Sequence, residues 1–359
     1  MKNYPNYSFT NSLQNWYDTH KRGLPWRDIS DPFRIWMSEI ILQQTRVIQG
    51  LPYYEKFVNK YPTVHDLANS SEDEVLQLWQ GLGYYSRGRN MLACAKAIVS
   101  DYHGKFPTNY NELVSLPGIG DYTASAVLSF AFNLPHAVLD GNVYRVLSRL
   151  YDIDIPINTP EAQKAFKTLA DSLLDKNNPA KHNQAIMEFG ALHCVPNKPN
   201  CGQCIFIDSC AAVRLNKVDR LPTKLKKKPK QIRYFNYFVF LQGTKVFIQK
   251  RSKKGIWKGL HQFPLFETQK SVQEADILQH LSEQYGMVNP EVLSVNSQKH
   301  LLTHQTIYAD FWVVPQTSFD INRNSDIFEV DLQALGTDFA IPVLLNKFLE
   351  SSVITDICR

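Results

Sequence analysis

The chain has 359 residues, enough for two or three domains, and its 44% hydrophobic content is ordinary for globular cores. The net charge of +5 is compatible with a nucleic-acid partner but does not require one. No apolar run is long enough to span a bilayer, and the first residues lack the apolar segment of a signal peptide. These features argue against a membrane protein and favour a cytosolic one.

The first part of the chain has a helical texture. From residue 8 to about 213, apolar residues recur at spacings of three and four, separated by short Gly and Pro breaks, and no strand-like alternation occurs. We therefore predict an all-α region over 1–213. A basic linker is predicted over 214–232, because lysines and prolines crowd together between 221 and 230.

The second part of the chain is rich in aromatic and β-branched runs, which indicate strands mixed with helices. We predict an α+β domain over 233–359, so that the whole chain is a multidomain protein with a helical region first. Strands are expected at 234–241, 245–250 and 305–314, and helices near 272–285 and 342–349.

The segment 36–47 is predicted to be one helix with a stripe of polar residues along one face. Glu39, Gln43 and Arg46 follow one another at i, i+4 and i+7 and would share one face. The ordinary interpretation of such a stripe is a solvated helix face. The alternative is a carboxylic acid held on a rigid helix beside polar groups suited to the bases and phosphates of a duplex. Those polar groups are Gln43, Gln44 and Thr45.

Two tyrosines between glycines mark the segment 80–89. Tyr84 and Tyr85 follow Gly83, and Arg87 and Arg89 lie two and four residues after Tyr85. Aromatic side chains flanked by arginines can form a wedge or stacking element with phosphate contacts. A packed loop between two helices would show the same residues, so this stretch leaves both interpretations open.

The segment 116–124 reads LPGIGDYTA and predicts a helix, a tight glycine hairpin and a second helix. Gly118 and Gly120 are expected to adopt backbone conformations that side chains resist, and to let a ligand approach closely. The amides that open the second helix would face outward at the positive end of its dipole, which makes a phosphate cradle. Asp140 precedes a further helix, where it is expected to cap that helix and to face the same ligand.

Four of the six cysteines crowd into 194–210 with spacings of six, two and five residues. In a cytosolic protein this crowding indicates a metal site more than disulfides. Zinc is one candidate, but zinc sites usually show two CxxC pairs and only one is present here. The other two cysteines, Cys94 and Cys358, are expected to be ordinary thiols.

These motifs resemble those of helix-hairpin-helix DNA repair glycosylases. The LPGIG segment resembles their hairpin, and the cysteine spacing resembles the 4Fe-4S loop of their endonuclease III and MutY branch. With 24–27 (LPWR), 38–47, 81–87 and 139–143, nearly the whole chain resembles the MutY family of adenine DNA glycosylases. The resemblance implies two helical lobes around a DNA cleft, then a Nudix-like domain that recognises 8-oxoguanine. The implied reaction, by a monomer on double-stranded DNA, hydrolyses the N-glycosidic bond of adenine mispaired with 8-oxoguanine or guanine.

The resemblance also implies roles for individual residues. Glu39 would protonate adenine at N7, and Asp140 would stabilise or trap the oxocarbenium-like sugar. Tyr122 and Asn142 would support the transition state and the water. The residues implied to bind substrate are Trp26, Arg27 and Gln184 in the adenine pocket, Gln43, Gln44 and Tyr84 around the emptied duplex, and Thr303 and His304 at 8-oxoguanine. The hairpin at Gly118 and Gly120 would bind phosphate, with a cation held by main-chain carbonyls, and Cys194, Cys201, Cys204 and Cys210 would hold the cluster.

Two features of the resemblance refine the expected activity. Bifunctional relatives carry a lysine after the hairpin for Schiff-base chemistry, whereas here Tyr122 occupies that place and no lysine lies between 116 and 150. A monofunctional enzyme is therefore expected.

In the second domain, 254–264 resembles the Nudix segment, but the helix after it lacks the clustered Arg and Glu residues of a working Nudix hydrolase. This domain is expected to bind rather than to hydrolyse nucleotides.

One departure from the family concerns its 8-oxoguanine loop, which commonly reads Phe-Ser-His. The matching residues Leu302, Thr303 and His304 keep a hydroxyl and an imidazole but lose the aromatic ring. Two other functions are compatible with some of these motifs. An endonuclease III-like bifunctional glycosylase for oxidised pyrimidines is disfavoured by Tyr122 and by the long second domain. A catalytically silent lesion-binding protein is disfavoured by the presence of both Glu39 and Asp140.

Overall fold

A computed structural model describes residues 6–226, 229–253, 255–315 and 326–351, with side chains from residue 8 onward. Residues 1–5, to which the prediction about a signal peptide applies, lie outside this description, as do Lys227 and Lys228 of the predicted linker, Lys254 and Cys358. The chain divides into two compact units. One contains 1–68 and 93–227, and the other contains 69–92 and 228–359. No helix in the described ranges is long and apolar enough to cross a membrane.

The described part of the first unit is helical, as its apolar spacing predicts. The helices of the whole described chain are α1 (Asn6–His20), α2 (Pro32–Leu42), α3 (Val47–Lys60), α4 (Val64–Ala68), α5 (Glu72–Leu78), α6 (Ser86–Tyr102), α7 (Tyr110–Ser115), α8 (Asp121–Phe132), α9 (Gly141–Tyr151), α10 (Pro160–Leu173), α11 (Pro179–Leu192), α12 (Ala211–Arg214), α13 (Glu274–Tyr285) and α14 (Val343–Leu349). Of these, α5, α13 and α14 lie in the second unit, and α6 runs through both.

Local sequence signals explain where several of these helices begin. Asp31 accepts hydrogen bonds from the first amides of α2, and Asn109 does the same for α7. Proline stands in the first turn of α2, α10 and α11, where its missing amide costs nothing. The apolar faces of α1, α8, α9, α10 and α11 meet in one core around Phe166 and Phe189, which are almost fully buried. This core fixes the elements that carry the candidate site.

The predicted helix over 36–47 is wrong at its C-terminal end. Helix α2 ends at Leu42, and Gln43 caps it. Gln44 then adopts a left-handed backbone conformation with φ of 58°, which a continuing helix cannot accommodate. Glu39, Gln43 and Arg46 therefore do not share a helix face, and the four residues before α3 form a connecting turn.

The second unit contains a mixed sheet. Its strands among the described residues are β1 (Gln231–Gln242), β2 (Lys245–Lys250), β3 (His261–Gln262), β4 (Leu265–Thr268), β5 (Ser294–Leu301), β6 (Gln305–Pro315) and β7 (Ile327–Asp331). The order along the main path is β3-β2-β1-β6-β5, with β4 added to β1 and β7 to β2. The pairing of β1 with β6 is parallel, and the other pairings are antiparallel. The three predicted strands and two predicted helices of this half are confirmed.

Two helices cover opposite faces of this sheet. Helix α13 packs on Phe238 and Trp312, which lie side by side on β1 and β6. Helix α14 packs on the other face, where the ring of Phe348 stacks on Phe311 with a centroid distance of 4.2 Å. The segment 69–92 joins this unit through polar contacts, of which the ion pair between Lys250 and Asp73 at 2.5 Å is one.

The first part of the predicted linker is attached to the helical unit. Leu221 is buried, and its carbonyl accepts a hydrogen bond of 3.1 Å from Arg149 Nε. Lys217 forms an ion pair with Asp152 at 2.8 Å, and the Leu225 amide donates to Asn158. These contacts tie the chain down to residue 225, so only a few residues separate the anchored segment from β1.

Candidate active site

A pocket of about 480 Å³ opens in the helical unit and gathers nine of the site residues that the sequence suggested. It lies at the C-terminal end of α2 and the N-terminal ends of α8 and α9. The predicted residues that line it are Trp26, Arg27, Glu39, Gln43, Gln44, Thr45, Tyr122, Asp140 and Asn142. The sequence thus contains, in distant segments, the groups that one cavity brings together.

Glu39 is the buried acid of this pocket. Its side chain projects from α2, is only 8% exposed, and accepts a hydrogen bond of 2.7 Å from the Tyr122 hydroxyl. Burial raises the pKa of Glu39 to about 7, the hydrogen bond from Tyr122 opposes that rise, and the nearby Asp140 charge adds to it. A pKa near neutrality suits a carboxylic acid for proton transfer at neutral pH.

Asp140 is the second carboxylate, and it caps α9 as predicted. Its Oδ1 accepts hydrogen bonds from the amides of Asn142 at 2.9 Å and Val143 at 2.7 Å, and its Oδ2 accepts one from Asn142 Nδ2 at 2.6 Å. Burial raises the pKa of Asp140, while these three donors and the Arg145 charge lower it. These hydrogen-bond donors stabilise the ionised form of Asp140 and fix the positions of its carboxylate oxygens.

Asn142 is itself held by Arg145. The Arg145 guanidinium donates to Asn142 Oδ1 at 2.9 Å, and its Nε donates to the Cys194 carbonyl at 2.7 Å. Arg145 is 8% exposed. The site carboxylate and the first of the four crowded cysteines are therefore joined by an unbroken series of hydrogen bonds.

An arginine–glutamate cluster borders the pocket, and two of its three members carry no signal in the sequence. Glu188 is 1% exposed and accepts hydrogen bonds from Arg22 and Arg27 on both carboxylate oxygens. Burial alone would raise the pKa of Glu188, but the two arginines outweigh it and lower that pKa to about 2. Arg22 and Glu188 belong to no sequence motif, because 166 residues separate them. The one available signal for Glu188 is that a charged residue stands on the helix face that is predicted to be buried.

Gln184 lies next to the main pocket rather than in it. It lines a smaller neighbouring cavity that shares Trp26, Arg27 and Glu39 with the first. The Tyr17 hydroxyl donates to Gln184 Oε1 at 2.6 Å, which fixes the amide. Trp26 packs edge to face on Tyr54 with a centroid distance of 5.0 Å. These contacts give the pocket a rigid wall.

The glycine hairpin precedes α8 as predicted, but only one of its glycines needs a special backbone. Gly118 has φ of 76°, the left-handed region that favours glycine. Gly120 has φ of −103°, which any residue adopts, so the prediction of a restricted backbone there is wrong. A Cβ at Gly120 would meet no protein atom within 4 Å, and no side chain caps the first amides of α8. The hairpin therefore presents open amides on a surface where a ligand can come close.

The four crowded cysteines line one small cavity, together with Arg149 and Phe189. Arg149 Nη1 lies 3.4 Å from Cys194 Sγ, and the Phe206 amide lies 3.4 Å from Cys204 Sγ. In the described ranges, no three His, Cys, Asp or Glu side chains are placed to hold one metal ion. Each thiolate around a four-iron cluster binds a different iron, so those sulfurs surround a volume instead of converging on a point. Four cysteines around one small cavity are a donor set that fits such a cluster.

A second pocket, of about 470 Å³, lies in the other unit. The hairpin that joins β5 to β6 contributes Thr303 and His304, and the segment 81–87 contributes Tyr84. The Tyr84 hydroxyl is hydrogen-bonded to Thr303 Oγ1. Tyr84 is 47% exposed and has a left-handed backbone with φ of 49°. The structure thus pairs two residues that the sequence placed 219 positions apart.

The strained loop that carries Tyr84 is fastened at one carbonyl. The Gly83 carbonyl accepts hydrogen bonds from Trp79 Nε1 at 3.0 Å and from Arg87 Nη2 at 3.1 Å. The Arg87 guanidinium also lies over the rings of Trp79 and Tyr84, 5.1 and 5.7 Å from their centroids. Gly81 and Gly83 have positive φ values as well. These contacts hold an exposed aromatic side chain in a conformation that costs about 1 kcal/mol by itself.

Comparison with known proteins identifies the family. Residues 37–171 match the HhH-GPD superfamily of base excision DNA repair proteins, and 236–351 match the NUDIX domain. The adenine DNA glycosylase of Buchnera aphidicola subsp. Baizongia pistaciae (strain Bp) is 36% identical over 345 residues, which cover 94% of this chain and 96% of its own. The chain belongs to the adenine DNA glycosylase family. The two pockets described above are therefore those of a family member.

Solved structures share the fold of this family member. A thermostable thymine-DNA glycosylase is similar with a TM-score of 0.54 and 29% identity, covering 58% of this chain and 97% of its own. Endonuclease III in a non-covalent DNA complex has a TM-score of 0.51 at 23% identity, covering 60% of this chain and 99% of its own. The predicted combination of a helix-hairpin-helix region and a Nudix-like domain is confirmed.

Proposed function

We propose that this protein is a base-excision repair glycosylase that hydrolyses the N-glycosidic bond of adenine mispaired with 8-oxoguanine or guanine. The observation that carries the proposal is the buried Glu39, with a pKa of about 7, in one pocket with Asp140. Paired carboxylates are the usual means of cleaving a glycosidic bond through an oxocarbenium-like transition state. Family membership supports adenine as the base.

Glu39 is the proposed general acid. An adenine inside a duplex is out of reach, so it must be flipped into the pocket before chemistry can begin. Adenine is a poor leaving group until it is protonated, and a carboxylic acid with a pKa of about 7 is largely protonated at slightly acid pH. Glu39 would give its proton to N7, while Trp26, Arg27 and Gln184 hold the base.

Asp140 is the proposed partner of the sugar. As the bond between the base and C1′ breaks, positive charge develops on the sugar, and an ionised carboxylate stabilises it or traps it. The amides of Asn142 and Val143 favour the ionised form of Asp140. Tyr122, which donates to Glu39, and Asn142 would support the transition state and orient the water.

Cleavage is proposed to be hydrolytic, without a Schiff base. Where bifunctional relatives use a lysine, Tyr122 stands, and no lysine lies between 116 and 150. Among the described residues that line the pocket none is a lysine. A strand break at the resulting abasic site would then require a separate treatment.

The remaining proposed contacts concern DNA and the cofactor. The open amides at Gly118 and Gly120 would bind a phosphate, with a cation on the hairpin carbonyls, while Gln43, Gln44, Thr45, Tyr84, Thr303 and His304 would contact the duplex and 8-oxoguanine. Cys194, Cys201, Cys204 and Cys210 would hold a 4Fe-4S cluster that stabilises its loop. Arg149 supports this assignment, because it donates to Cys194 Sγ and to the carbonyls of the same loop.

Single-turnover cleavage of matched duplexes tests the proposal. Adenine would be placed opposite 8-oxoguanine, guanine, cytosine or thymine, and each reaction analysed with and without alkali. We expect strand breaks only after alkali, and only opposite 8-oxoguanine or guanine. Breaks without alkali would contradict the hydrolytic mechanism. An Asp140→Asn variant should bind the 8-oxoguanine duplex but not cleave it, and full turnover by this variant would contradict the role of Asp140.

A further inference from the structure

The chain reaches Asp140 through a buried connection without regular structure. Residues 133–140 join α8 to α9 and form neither helix nor strand. Ala137 and Val138 in this connection are only 3% and 1% exposed. A buried backbone needs partners for its amides and carbonyls, and outside helices and sheets these partners are often side chains. The side chains that bond this backbone therefore fix the path by which the chain arrives at Asp140.

Asn183 of α11 supplies three of these bonds. Its Oδ1 accepts a hydrogen bond of 3.2 Å from the Val138 amide, and its Nδ2 donates to the His136 carbonyl at 2.8 Å. The same Nδ2 donates to Ser129 Oγ of α8 at 2.8 Å. Asn183 is 1% exposed, and both N–H donors of its amide are used. One buried side chain thus ties the connection to two helices.

The position of Asn183 on α11 relates the two halves of the candidate active site. Gln184 follows Asn183 directly and lines the small cavity that also includes Glu39. Asp140 follows the bonded Val138 by two residues. Because a helix is rigid over one turn, α11 holds the proposed adenine side of the site and the backbone that leads to the proposed sugar side in a fixed relation.

We propose that Asn183 is a positioning residue for Asp140, an inference that rests on the proposed function. Asn183 is not among the described residues that line the main pocket, so it acts through the backbone of 136–138 rather than by touching substrate. It places the Asp140 carboxylate where positive charge develops on the sugar. A carboxylate stabilises such a charge only from the right place, because a misplacement of about 1 Å can cost roughly 10²-fold in rate.

The cap on α9 does not replace this support. The amides of Asn142 and Val143 hold Asp140 from its C-terminal side only, whereas Asn183 fixes the chain on the N-terminal side. Without the Asn183 amide, the buried Val138 amide and His136 carbonyl would lose these partners, and such a loss drives a backbone to move until other partners are found. The expected result of that movement is a folded protein whose Asp140 is misplaced.

The test measures how well the site recognises a positive charge at the sugar. Two uncleavable duplexes are bound by the full chain, each with an abasic-site analogue opposite 8-oxoguanine. One analogue is a pyrrolidine with a positively charged ring nitrogen, and the other is a neutral tetrahydrofuran. The cation preference is the ratio of the two affinities, and the wild type should favour the charged analogue because it resembles the transition state.

Asn183→Leu removes all three bonds at similar side-chain size. This variant should lose roughly tenfold in cation preference and roughly 10²-fold in the single-turnover rate of adenine removal, while its affinity for the tetrahydrofuran duplex persists. Adding Asn183→Leu to Asp140→Asn should lower the cation preference no further. If Asn183→Leu does not fold, Ser129→Ala, which removes one of the three bonds, takes its place. It should show a smaller loss, and an unchanged cation preference there would overturn the proposal.

Asn236→Leu is the matched control, because Asn236 is a buried asparagine of the second unit with three hydrogen bonds of its own. Asn236 is 2% exposed, its Nδ2 donates to the Phe266 carbonyl at 3.2 Å and to Thr268 Oγ1 at 3.3 Å, and its Oδ1 accepts from Trp312 Nε1 at 3.2 Å. Its replacement should destabilise the second unit but leave the cation preference at the wild-type value.

Three outcomes would overturn the proposal. They are a wild-type cation preference in Asn183→Leu, an equal loss of affinity for both analogues in that variant, and equal binding of both analogues by the wild type. If the wild type removes adenine from no duplex while Asn183→Leu and Asp140→Asn both lose the cation preference, the proposed function fails and the positioning role stands. If the wild type cleaves as proposed and Asn183→Leu keeps its preference, only the positioning role fails.

Discussion

The two pockets have almost the same volume, about 480 and 470 Å³, but their chemistry differs. The pocket of the helical unit contains buried ionisable groups, Glu39 and Asp140, whose pKa values burial raises. The pocket of the second unit presents the hydroxyl groups of Tyr84 and Thr303, and Arg89 also lines it. Breaking a bond benefits from charges held in a desolvated site, whereas reading a base edge needs hydrogen-bond donors and acceptors placed to match that edge.

The two pockets also differ in how their side chains are fixed. Glu39 projects from the last turn of one helix, and Asp140 caps another, so regular structure positions both. Tyr84 instead stands on a loop with a left-handed backbone, which depends on the Gly83 carbonyl contacts from Trp79 and Arg87. We therefore expect substitutions in the first pocket to lower mainly the rate of adenine removal. Substitutions around the second pocket should lower mainly the preference for 8-oxoguanine over guanine.

Replacing Glu39 by glutamine should have the largest effect. The amide keeps the shape but cannot donate the proton, so the rate of single-turnover adenine removal should fall by roughly 10²- to 10⁴-fold. Affinity for an uncleaved 8-oxoguanine duplex should persist. Glu55→Gln, on the exposed side of α3, is the control and should cleave at the wild-type rate. Cleavage at the wild-type rate by Glu39→Gln would contradict the assignment of bond cleavage to the pocket of the helical unit.

Glu188→Gln should destabilise the helical unit. The substitution leaves Arg22 and Arg27 beside a neutral amide, and breaking a buried charge network typically costs about 3 kcal/mol or more in the free energy of unfolding. Chemical denaturation at pH 7 measures this loss. Because the pKa of Glu188 is lowered to about 2, its stabilisation is present above its ordinary pKa of 4.5 and disappears as the pH falls toward 2. The variant should approach wild-type stability in acid, and a constant difference at all pH values would contradict this account.

The titration of Glu39 should change both the stability of the protein and its cleavage rate with pH. Because the pKa of Glu39 is raised from 4.5 to about 7, the unfolded chain loses this proton first, and the stability of the wild type should fall between pH 4.5 and 7. The full effect is at most about 3 kcal/mol. Chemical denaturation at pH 8 should show a higher free energy of unfolding for Glu39→Gln than for the wild type, and this difference should vanish near pH 4.5.

The same titration predicts the pH dependence of the reaction. The cleavage rate of the wild type should decline above pH 7, and a rate independent of pH from 6 to 9 would contradict the proton-donor role.

The smallest expected effect is on the loop that carries Tyr84. Arg87→Met removes one donor to the Gly83 carbonyl, and we expect a loss of roughly fivefold in the preference for 8-oxoguanine over guanine, equivalent to about 1 kcal/mol. If Arg87 acts through Tyr84, adding Arg87→Met to Tyr84→Ala should cause no further loss. Arg34→Met, on the exposed face of α2, is the control. Additive losses in the double variant would mean that Arg87 acts by another route.

Much of the fold could be predicted because it rests on local patterns. The spacing of apolar residues marks the helices of the first unit, and strands β1, β2 and β6 follow from aromatic and β-branched runs. The error at the end of α2 has a physical reason: the polar periodicity continues through Gln43 and Arg46, but Gln44 adopts a left-handed backbone that residue spacing does not encode. The backbone at Gly120 likewise could not be distinguished from that at Gly118 by residue type alone.

The sequence by itself determined the family of this protein, the order of its elements and the residue types available to its pockets. The tertiary structure alone decided that Tyr122 donates to Glu39 across 83 residues, that Glu188 joins two arginines, and that Tyr84 meets Thr303. It also decided that 69–92 belongs with the second unit. The reason is that burial, charge pairing and pKa depend on neighbours brought together by packing, which the spacing of residues along one segment does not encode.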